Sequence, residues 1–346
     1  MVDVDFAAAR GRSLLSTSQH RRDTPQGNGH SAAPRVMVPD EALPSAARLA
    51  EALVLLVICV SVVAANVLVI ATLLHSTRQV LDYYLLSLAV ADLLCGVLVV
   101  PLSVYPAIVQ DWVYGDFVCR LSGYVALTLW SVSIYSFMWL SVDRYLAIRK
   151  PLRYDAIQTR TRCQCWMLFT WMTSMFMYCP PLFGFSSGHF YRDAYICMLD
   201  LSSILPYTLT LALLVLLPSV LTVMYTYYFI FNTMRKMRRC LSKEEKEYAT
   251  AIGEHLSNPD HVMSFVIIVL FWISWMPWIG LQVYEKIGGV KLRFHALHFG
   301  LLWLGVLDCL WKPLIYVAMS PKFRLGVQLL FVSLCCRHKA PQQLVV

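Results

Sequence analysis

Seven long apolar stretches constrain the fold of this chain more than any other feature. A bilayer core about 30 Å thick is crossed by around 20 mostly apolar helical residues. Stretches of this kind lie at residues 50–74, 81–106, 119–147, 164–184, 203–231, 262–285 and 295–319. They predict an all-α membrane protein with a seven-transmembrane helix bundle over residues 49–319.

The composition excludes most classes of soluble protein. Of the 346 residues, 58% are hydrophobic and only 14% are charged, whereas a soluble domain has about a quarter charged residues and about 45–50% apolar ones. The 11 cysteines are too scattered for a disulfide scaffold. The sequence has no metal-ligand cluster, phosphate-binding loop or nucleophile with a placed base. We therefore expect no enzymatic activity, no cofactor, no metal and no nucleic-acid partner.

Two flanking segments differ from the bundle. Residues 1–48 are rich in Arg, Ser, Gly, Pro and Asp, a composition typical of a disordered tail. Residues 320–346 begin with a short amphipathic pattern, which includes Phe323, Leu325 and Leu329 and ends at Cys335 and Cys336. This pattern predicts an amphipathic eighth helix at the membrane surface, with membrane lipid as a partner and the two cysteines palmitoylated. Buried or free thiols are the alternative.

The distribution of basic residues predicts the orientation. Lys and Arg are concentrated between the third and fourth stretches (149–162), between the fifth and sixth (235–246) and after the seventh (322–339), while the opposite connections hold few. Positive-inside reasoning places these segments in the cytoplasm and the N-terminus outside. Cys119 and Cys197 then both lie on the outer, oxidising side, so we expect a disulfide between them. Two unrelated thiols are the alternative.

A set of motifs, one in each helix and in a fixed order, points to a family. The third stretch ends in Ser-Val-Asp143-Arg144-Tyr145, and the sixth contains Phe-Trp-Ile-Ser-Trp-Met-Pro277. Further marks are Asn66, Asp92, Trp112, Trp171, Pro218 and Pro313-Leu-Ile-Tyr316. Together they resemble rhodopsin-like (class A) G-protein-coupled receptors over residues 50–336, in particular orphan-type members near the amine-receptor branch. The resemblance implies a plasma-membrane receptor whose partners are a heterotrimeric G protein and arrestin.

The resemblance also implies that Asp143, Arg144, Tyr145 and Tyr316 form the switch that engages the G protein. Arg144 cannot lose its charge by deprotonation, and Asp143 is expected to hold it in an ion pair at rest. On activation, Arg144 is expected to leave this pair and contact the G protein. An interfacial Arg that reaches towards water is the alternative. Ser257 stands where some receptors have a second restraining acid, so we expect some ligand-independent activity.

Two prolines lie in the helices that the resemblance links to activation. Pro218 and Pro277 each remove a helical hydrogen bond and are expected to bend their helices. Phe271 and Trp275 lie one turn apart on the same face near Pro277, and the resemblance implies that they form the lever through which a ligand moves the sixth helix. The fifth helix departs from the family, because Thr226 occupies the usual tyrosine position.

Three charged residues lie deep in the predicted bundle. Asp308 and Lys312 are spaced i, i+4 with the acid first, the favourable order for a pair on one helix face, and Asp92 is the acid in the interior of the second stretch. The resemblance implies a sodium site here, because in relatives the residues matching Asp92 and its neighbours, including Ser133, hold a sodium ion. We expect the Lys312 ammonium to replace that ion by bridging Asp92 and Asp308, with Asn66 completing the polar cluster. A Lys312 that reaches to the cytoplasmic surface is the alternative.

The acid that amine receptors use to bind their ligand is missing. Counting back from Arg144 places Ala126 at that position, so we expect a ligand that is not an amine. Opsins have their retinal-binding lysine at the position of Val306, and Lys312 lies deeper in the helix. We therefore expect no retinal.

The predicted ligand cavity has aromatic walls and a few polar tips. Its predicted lining is Ala126, Trp130, Tyr207, Trp275, Trp278, Gln282, His298, Phe299 and Leu302. Such walls suit an apolar or lipid-like ligand or the end of a peptide, although aromatic residues also simply pack helices together. A second interpretation is that no diffusible ligand exists and the aromatic outer loop, residues 184–203, drives the receptor.

A different class of protein is the remaining alternative. An ion- or proton-coupled carrier could use Asp92, Asp308 and Lys312 as a relay for charge across the membrane. Carriers usually contain internal repeats, and the sequence shows none. The receptor interpretation is therefore favoured.

Overall fold

The computed structural model describes residues 45–75, 79–185, 187–200, 205–239, 260–289, 292 and 294–335, all within the compact unit Leu43–Val346. The helices are α1 (Ser45–His75), α2 (Val80–Leu98), α3 (Pro101–Val109), α4 (Gly115–Arg149), α5 (Tyr154–Ile157), α6 (Arg160–Pro180), α7 (Leu205–Arg239), α8 (Asp260–Gly288), α9 (His295–Val306), α10 (Asp308–Met319) and α11 (Pro321–Cys335). Between α6 and α7, the strands β1 (Gly188–Tyr191) and β2 (Ile196–Leu199) form an antiparallel hairpin.

Six described segments are long and apolar enough to cross a membrane, namely α1, α2 with α3, α4, α7, α8 and the bent pair α9–α10. The 21-residue α6 is not among them, because Arg, Gln, Thr and Ser residues interrupt its apolar run. It nevertheless packs against α2 and α4 within the same bundle. Each of the seven predicted stretches thus corresponds to one segment of the bundle, α6 included.

The first helix shows how the sequence separates the interior of the bundle from lipid. Leu55, Val62 and Val69 recur every seventh residue of α1 and are buried. Leu53 and Val60, on other faces of the helix, are exposed although they are equally apolar. A helix that is hydrophobic all round suits a membrane, where lipid covers the faces that protein does not.

Two of the crossing segments are broken. Pro101 begins α3, because a proline lacks the N–H that a continuing helix needs, and the Val100 amide donates to the Cys95 carbonyl oxygen at 3.1 Å. The pair α9–α10 bends by 43° at Leu307. Both breaks lie beside the cavity described below, so they set the direction of the helices that line it.

The hairpin is fastened to the start of α4. A disulfide joins Cys119 of α4 to Cys197 of β2, which confirms the expected pair. One turn further along α4, a Cβ atom at Gly123 would lie 2.7 Å from the backbone nitrogen of Leu199, so the glycine permits the close crossing of β2 over α4. Within the described ranges, the hairpin is the β element and the other regular elements are helices.

The ends of the bundle differ slightly from the predicted boundaries. Helix α1 begins at Ser45, so residues 45–48, predicted to belong to the tail, are helical. Helix α11 lies where the amphipathic eighth helix was expected, with Phe323 buried and Leu325 exposed. Residues 1–44, Ser257 and Cys336 lie outside the described residues, and so does the side chain of Cys335.

Candidate functional site

At the end of α4 far from the disulfide, which we call the Arg144 end, Asp143 and Arg144 form a buried ion pair. Arg144 Nε donates to Asp143 Oδ2 at 3.0 Å. The other carboxylate oxygen accepts hydrogen bonds from the Tyr154 hydroxyl at 2.8 Å and from Gln158 Nε2 at 3.0 Å. Burial, with the Asp143 charge beside it, raises the pKa of Tyr154, so its hydroxyl stays a donor. The motif pointed to the ion pair, but not to the two donors that the segment after α4 adds.

Tyr145 and Tyr316, the other two predicted switch residues, lie on α4 and α10. Tyr145 packs on Phe229 of α7, with ring centroids 4.9 Å apart. Tyr316 of α10 is buried, and its hydroxyl has no hydrogen-bond partner among the described residues. Thr226 is buried where the family has a tyrosine, and the next residue, Tyr227, is buried as well. Helix α7 therefore presents an interior tyrosine one position later than the family pattern.

Lys312 is held between two carboxylates in the interior of the bundle. Its Nζ lies 2.7 and 3.0 Å from the two carboxylate oxygens of Asp92 and 2.8 Å from Oδ2 of Asp308. The side chain is 1% exposed, and its ammonium lies 5.6 Å from the centre of the Phe137 ring. The ammonium therefore bridges the two acids and does not extend to the surface. We call Asp92, Asp308 and Lys312 the ionic cluster.

Asn66 and Ser133 lie around the ionic cluster in different roles. Pro313 has no N–H, so it leaves the carbonyl of Cys309, four residues earlier, without its helical donor. Asn66 of α1 supplies that donor at 3.0 Å. Ser133 lines the same cavity as Asp92. Within the described ranges, no group of three or more His, Cys, Asp and Glu residues is arranged to hold a metal ion.

The predicted lever residues Phe271 and Trp275 both pack against the ring of Trp130. The Trp130 ring lies 6.4 Å from the ring of Phe271 and 6.2 Å from that of Trp275, centroid to centroid. A Cβ atom at Gly305 of α9 would lie 2.9 Å from the Trp275 ring. Pro218 lies inside α7 and Pro277 inside α8. Because Trp275 fits against a glycine, it links α8 directly to α9.

A cavity of about 210 Å³ lies between the hairpin and the ionic cluster. Ile196 and Met198 of β2 contribute to its lining, and so do Asp92 and Asp308. Most of the remaining walls are apolar or aromatic. They include five predicted residues, namely Ala126, Trp130, Trp275, Trp278 and Leu302. We call the side of the cavity that the hairpin covers its roof, and the side lined by Asp92 and Asp308 its floor. The two carboxylates of the floor are paired with the Lys312 ammonium.

The other four predicted pocket residues lie outside this lining, which corrects the sequence prediction. Tyr207 donates to a backbone carbonyl of α6, His298 lies 3.2 Å from the Glu285 carboxylate, and Phe299 packs against the turn of the hairpin. Gln282 is the fourth. The polar tips of Tyr207 and His298 find partners in neighbouring elements, as buried polar groups generally do, and these partners draw them away from an apolar cavity.

The chain is similar in sequence to several receptors. It is 28% identical to "Probable G-protein coupled receptor 21" of Mus musculus over 305 residues, which cover 83% of this chain and 84% of the relative. It is 28% identical to the "Histamine H2 receptor" of Rattus norvegicus over 80% of this chain and 78% of the relative. It is 26% identical to "G-protein coupled receptor 52" of Mus musculus over 93% and 89%.

The fold is similar to that of squid rhodopsin, with a TM-score of 0.73 and 19% sequence identity over 86% of this chain and 90% of that one. The family described as "7 transmembrane receptor (rhodopsin family)" matches residues 65–316. This match spans the Asp143–Arg144 pair, the ionic cluster and the cavity. The chain therefore belongs to the rhodopsin family of seven-transmembrane receptors.

Proposed function

We propose that this receptor activates heterotrimeric G proteins through Arg144 and that arrestin binds at the same end of the bundle. The observation that carries the proposal is the buried ion pair between Arg144 and Asp143. A guanidinium cannot be deprotonated in a protein, so breaking the pair must either expose the charge or transfer it to a partner. A partner that inserts at this end and accepts hydrogen bonds from Arg144 then stabilises the open pair.

We propose that the receptor lies in the plasma membrane with its Arg144 end in the cytoplasm and its N-terminus outside. Basic residues cluster near Arg144, among them Arg149, Lys150 and Arg153, as positive-inside reasoning expects of cytoplasmic segments. The Cys119–Cys197 disulfide lies at the start of α4, and disulfides persist in oxidising compartments. Both observations support the same orientation.

For the ligand, we propose an uncharged and mostly apolar molecule. Ala126 brings no acid into the cavity, and the two carboxylates that line it are paired with Lys312. An amine would therefore enter an apolar cavity without a carboxylate of its own, and burying an unpaired ammonium is costly. The carrier alternative has no support from the receptors to which the chain is similar, and the ionic cluster already holds its own cation.

A second candidate is that the hairpin acts as the ligand. Ile196 and Met198 belong to β2 and line the cavity, and the disulfide to Cys119 keeps β2 there. A receptor driven in this way has ligand-independent activity. A diffusible ligand would instead have to share the cavity with these two side chains or displace them.

The test is nucleotide exchange on a panel of purified heterotrimeric G proteins, with the receptor in lipid nanodiscs and without added ligand. Asp143→Asn releases Arg144 from its charged partner and is expected to speed exchange on at least one G protein by about fivefold or more, the usual lower bound for such couplings. Arg144→Ala is expected to abolish the effect of Asp143→Asn. Arg153→Ala, which removes an exposed charge nearby, serves as the control.

Two outcomes contradict the proposal. One is that Asp143→Asn leaves exchange on every G protein of the panel at the receptor-free rate. The other is that the double variant Asp143→Asn/Arg144→Ala stays as active as Asp143→Asn. Ligand-independent exchange by the unaltered receptor favours the hairpin as ligand, and its loss in Met198→Ala supports that candidate directly.

A further inference from the structure

The turn of the hairpin is held against three helices by one tyrosine. Tyr195 is fully buried, and its hydroxyl donates to Glu51 of α1 at 2.8 Å and accepts from Gln110 Nε2, at the end of α3, at 2.9 Å. It also lies 3.3 Å from Nε2 of His295, the first residue of α9. The backbone of Tyr195 has φ of 55°, a conformation that is uncommon for residues other than glycine. These contacts hold the turn in a defined place.

His295 lies between two carboxylates from different elements. Its Nε2 is 3.0 Å from Oε1 of Glu51, and its Nδ1 is 3.8 Å from Oδ1 of Asp193 in the hairpin turn. A neutral imidazole has one N–H, while the protonated ring has two. Because both ring nitrogens face a carboxylate oxygen, only the protonated ring presents an N–H to Glu51 and to Asp193 at the same time.

The cluster is open to protons from the side of the membrane that it faces. The side chains of His295, Glu51 and Asp193 are 22%, 19% and 31% exposed. Arg48 of α1 also lies near Tyr195 and adds a positive charge beside this cluster. The ring of Phe299 stacks on His295 with centroids 6.2 Å apart and covers one face of the imidazole without adding a charge.

The turn is continuous with the strand that lines the cavity. Ile196 follows Tyr195 directly, and it lines the cavity together with Met198. Trp303 of α9 donates from Nε1 to the Ala194 carbonyl at 3.1 Å, so the turn contacts α9 through its backbone as well. If the turn lifts, the two lining residues of β2 lift with it, because they are part of the same strand.

We propose that His295 is an extracellular proton-binding site that fastens the hairpin over the cavity, so that external protons control access to it. The location on the outer face rests on the proposed orientation. The seated turn brings Asp193 to His295, and this second carboxylate is lost when the turn lifts. The seated conformation therefore binds the proton more tightly than the lifted one.

By linkage, a conformation that binds the proton more tightly is favoured by acid. The free energy by which the bound proton favours the seated conformation is fully present when the imidazole is protonated. It disappears as the pH rises and the ring loses its proton. An ordinary histidine makes this change between about pH 5 and 8. Acidic medium is thus expected to close the cavity from outside, and alkaline medium to loosen the hairpin.

The proposal is tested by hydrogen exchange of the backbone amides of residues 188–199, measured on the purified receptor in nanodiscs at pH 6 and pH 8 and corrected for the chemical exchange rate. In the unaltered receptor, we expect protection at pH 6 to exceed that at pH 8 by about fivefold. His295→Gln keeps a polar side chain that cannot be protonated, and Glu51→Gln removes one of the flanking charges. Both variants are expected to reduce the ratio towards one.

His189→Gln is the matched control, because His189 lies in the same hairpin but is exposed. It is expected to keep the full pH dependence. The unfolding temperature provides a second measurement that does not depend on the hairpin alone: we expect a fall of about 1–2 °C from pH 6 to pH 8 in the unaltered receptor and in His189→Gln, and a smaller fall in His295→Gln. Equal pH dependence of the hairpin amides in the unaltered receptor and in His295→Gln would overturn the proposal. Since no G protein is present, this result is independent of the proposed coupling.

Discussion

Replacing Lys312 with asparagine leaves two buried carboxylates without their counter-ion. In the unaltered receptor the two acids and one ammonium of the ionic cluster add up to a net charge of −1, and every oxygen–nitrogen distance quoted for the cluster is 3.0 Å or less. Lys312→Asn changes that net charge to −2 in a place where the native side chains are 4% exposed or less. The variant therefore needs a replacement cation, and sodium is the most abundant one outside the cell.

The magnitude follows from the burial of the cluster. Removing one partner of a buried ion pair costs about 3–5 kcal/mol, because the remaining charge loses its compensation. A cation that enters the vacated space recovers part of this cost. At a sodium concentration of about 100 times its Kd, binding stabilises the folded receptor by about 2.7 kcal/mol. For a chain of 346 residues, with an unfolding entropy of about 2.1 cal/mol/K per residue, that corresponds to a rise in unfolding temperature of about 4 °C.

The assay is thermal unfolding of the purified receptor in sodium chloride and in N-methylglucamine chloride at equal ionic strength. We expect no difference between the two salts for the unaltered receptor, because Lys312 already occupies the space between the acids. For Lys312→Asn we expect lower stability in N-methylglucamine chloride and a large recovery in sodium. Lys322→Asn is the control, since it makes the same chemical change at an exposed residue whose contact is Gln79.

A double variant separates charge from shape. Lys312→Asn/Asp308→Asn restores the net charge to −1 without any added cation and is expected to depend less on sodium than Lys312→Asn. The reasoning is wrong if the unaltered receptor gains as much stability from sodium as Lys312→Asn does. It is equally wrong if Lys312→Asn is insensitive to sodium and no less stable than the unaltered receptor.

Three further substitutions test other parts of the bundle. Tyr154→Phe removes one hydrogen bond to the charged Asp143 and is expected to cost about 1.5–3 kcal/mol of unfolding free energy, with faster basal nucleotide exchange; unchanged stability would show that the bond contributes nothing. Gly123→Ala places a methyl group against the backbone of Leu199 and is expected to cost about 1–3 kcal/mol of unfolding free energy. The loss is measured as unfolding temperature and as hydrogen exchange of β2. Gly280→Ala, which has open space around it, is the neutral control. Cys197→Ser removes the disulfide and is expected to cost about 2–4 kcal/mol, and treatment of the unaltered receptor with reductant should reproduce the loss.

The membrane bundle could be predicted from the sequence because its physical cause is local. A helix in lipid must satisfy its backbone hydrogen bonds within its own segment, so length and hydropathy alone marked the crossing segments. The exception is α6, where polar side chains lower the mean hydropathy although the helix packs into the bundle. The disulfide was predictable as well, because only Cys119 and Cys197 fell on the side assigned to the oxidising compartment.

The ionic cluster could be predicted because few charged residues lie deep within the apolar stretches. Asp308 and Lys312 lie one helical turn apart, and Asp92 is the remaining acid deep in the bundle, so there were few ways to compensate a buried ammonium. The part played by Asn66 was not predictable in the same way. It depends on the carbonyl of Cys309, which Pro313 of α10 leaves open, and on how closely α1 approaches that carbonyl.

The roof of the cavity could not be predicted, because it depends on the path of a loop. Tyr195 was one of several aromatic residues in the segment between α6 and α7, and periodicity does not apply to a turn. Its partners come from α1, the end of α3 and α9, which are separated from it by up to 144 residues. The same limitation applies to Tyr207 and His298, whose partners in other elements removed them from the predicted cavity lining.

The arrangement of charge around the cavity also restricts what can enter it. The floor carries two carboxylates that Lys312 already compensates, and the roof is formed by the apolar side chains of Ile196 and Met198. A charged ligand would lose its hydration on entry and gain no unpaired opposite charge in the lining, which makes its binding unfavourable. One similar sequence is named a histamine receptor, and the proposed ligand class would distinguish the present chain from it. If the ligand is the uncharged, mostly apolar molecule proposed above, selectivity would rest as much on rejecting charged molecules as on attracting an apolar one.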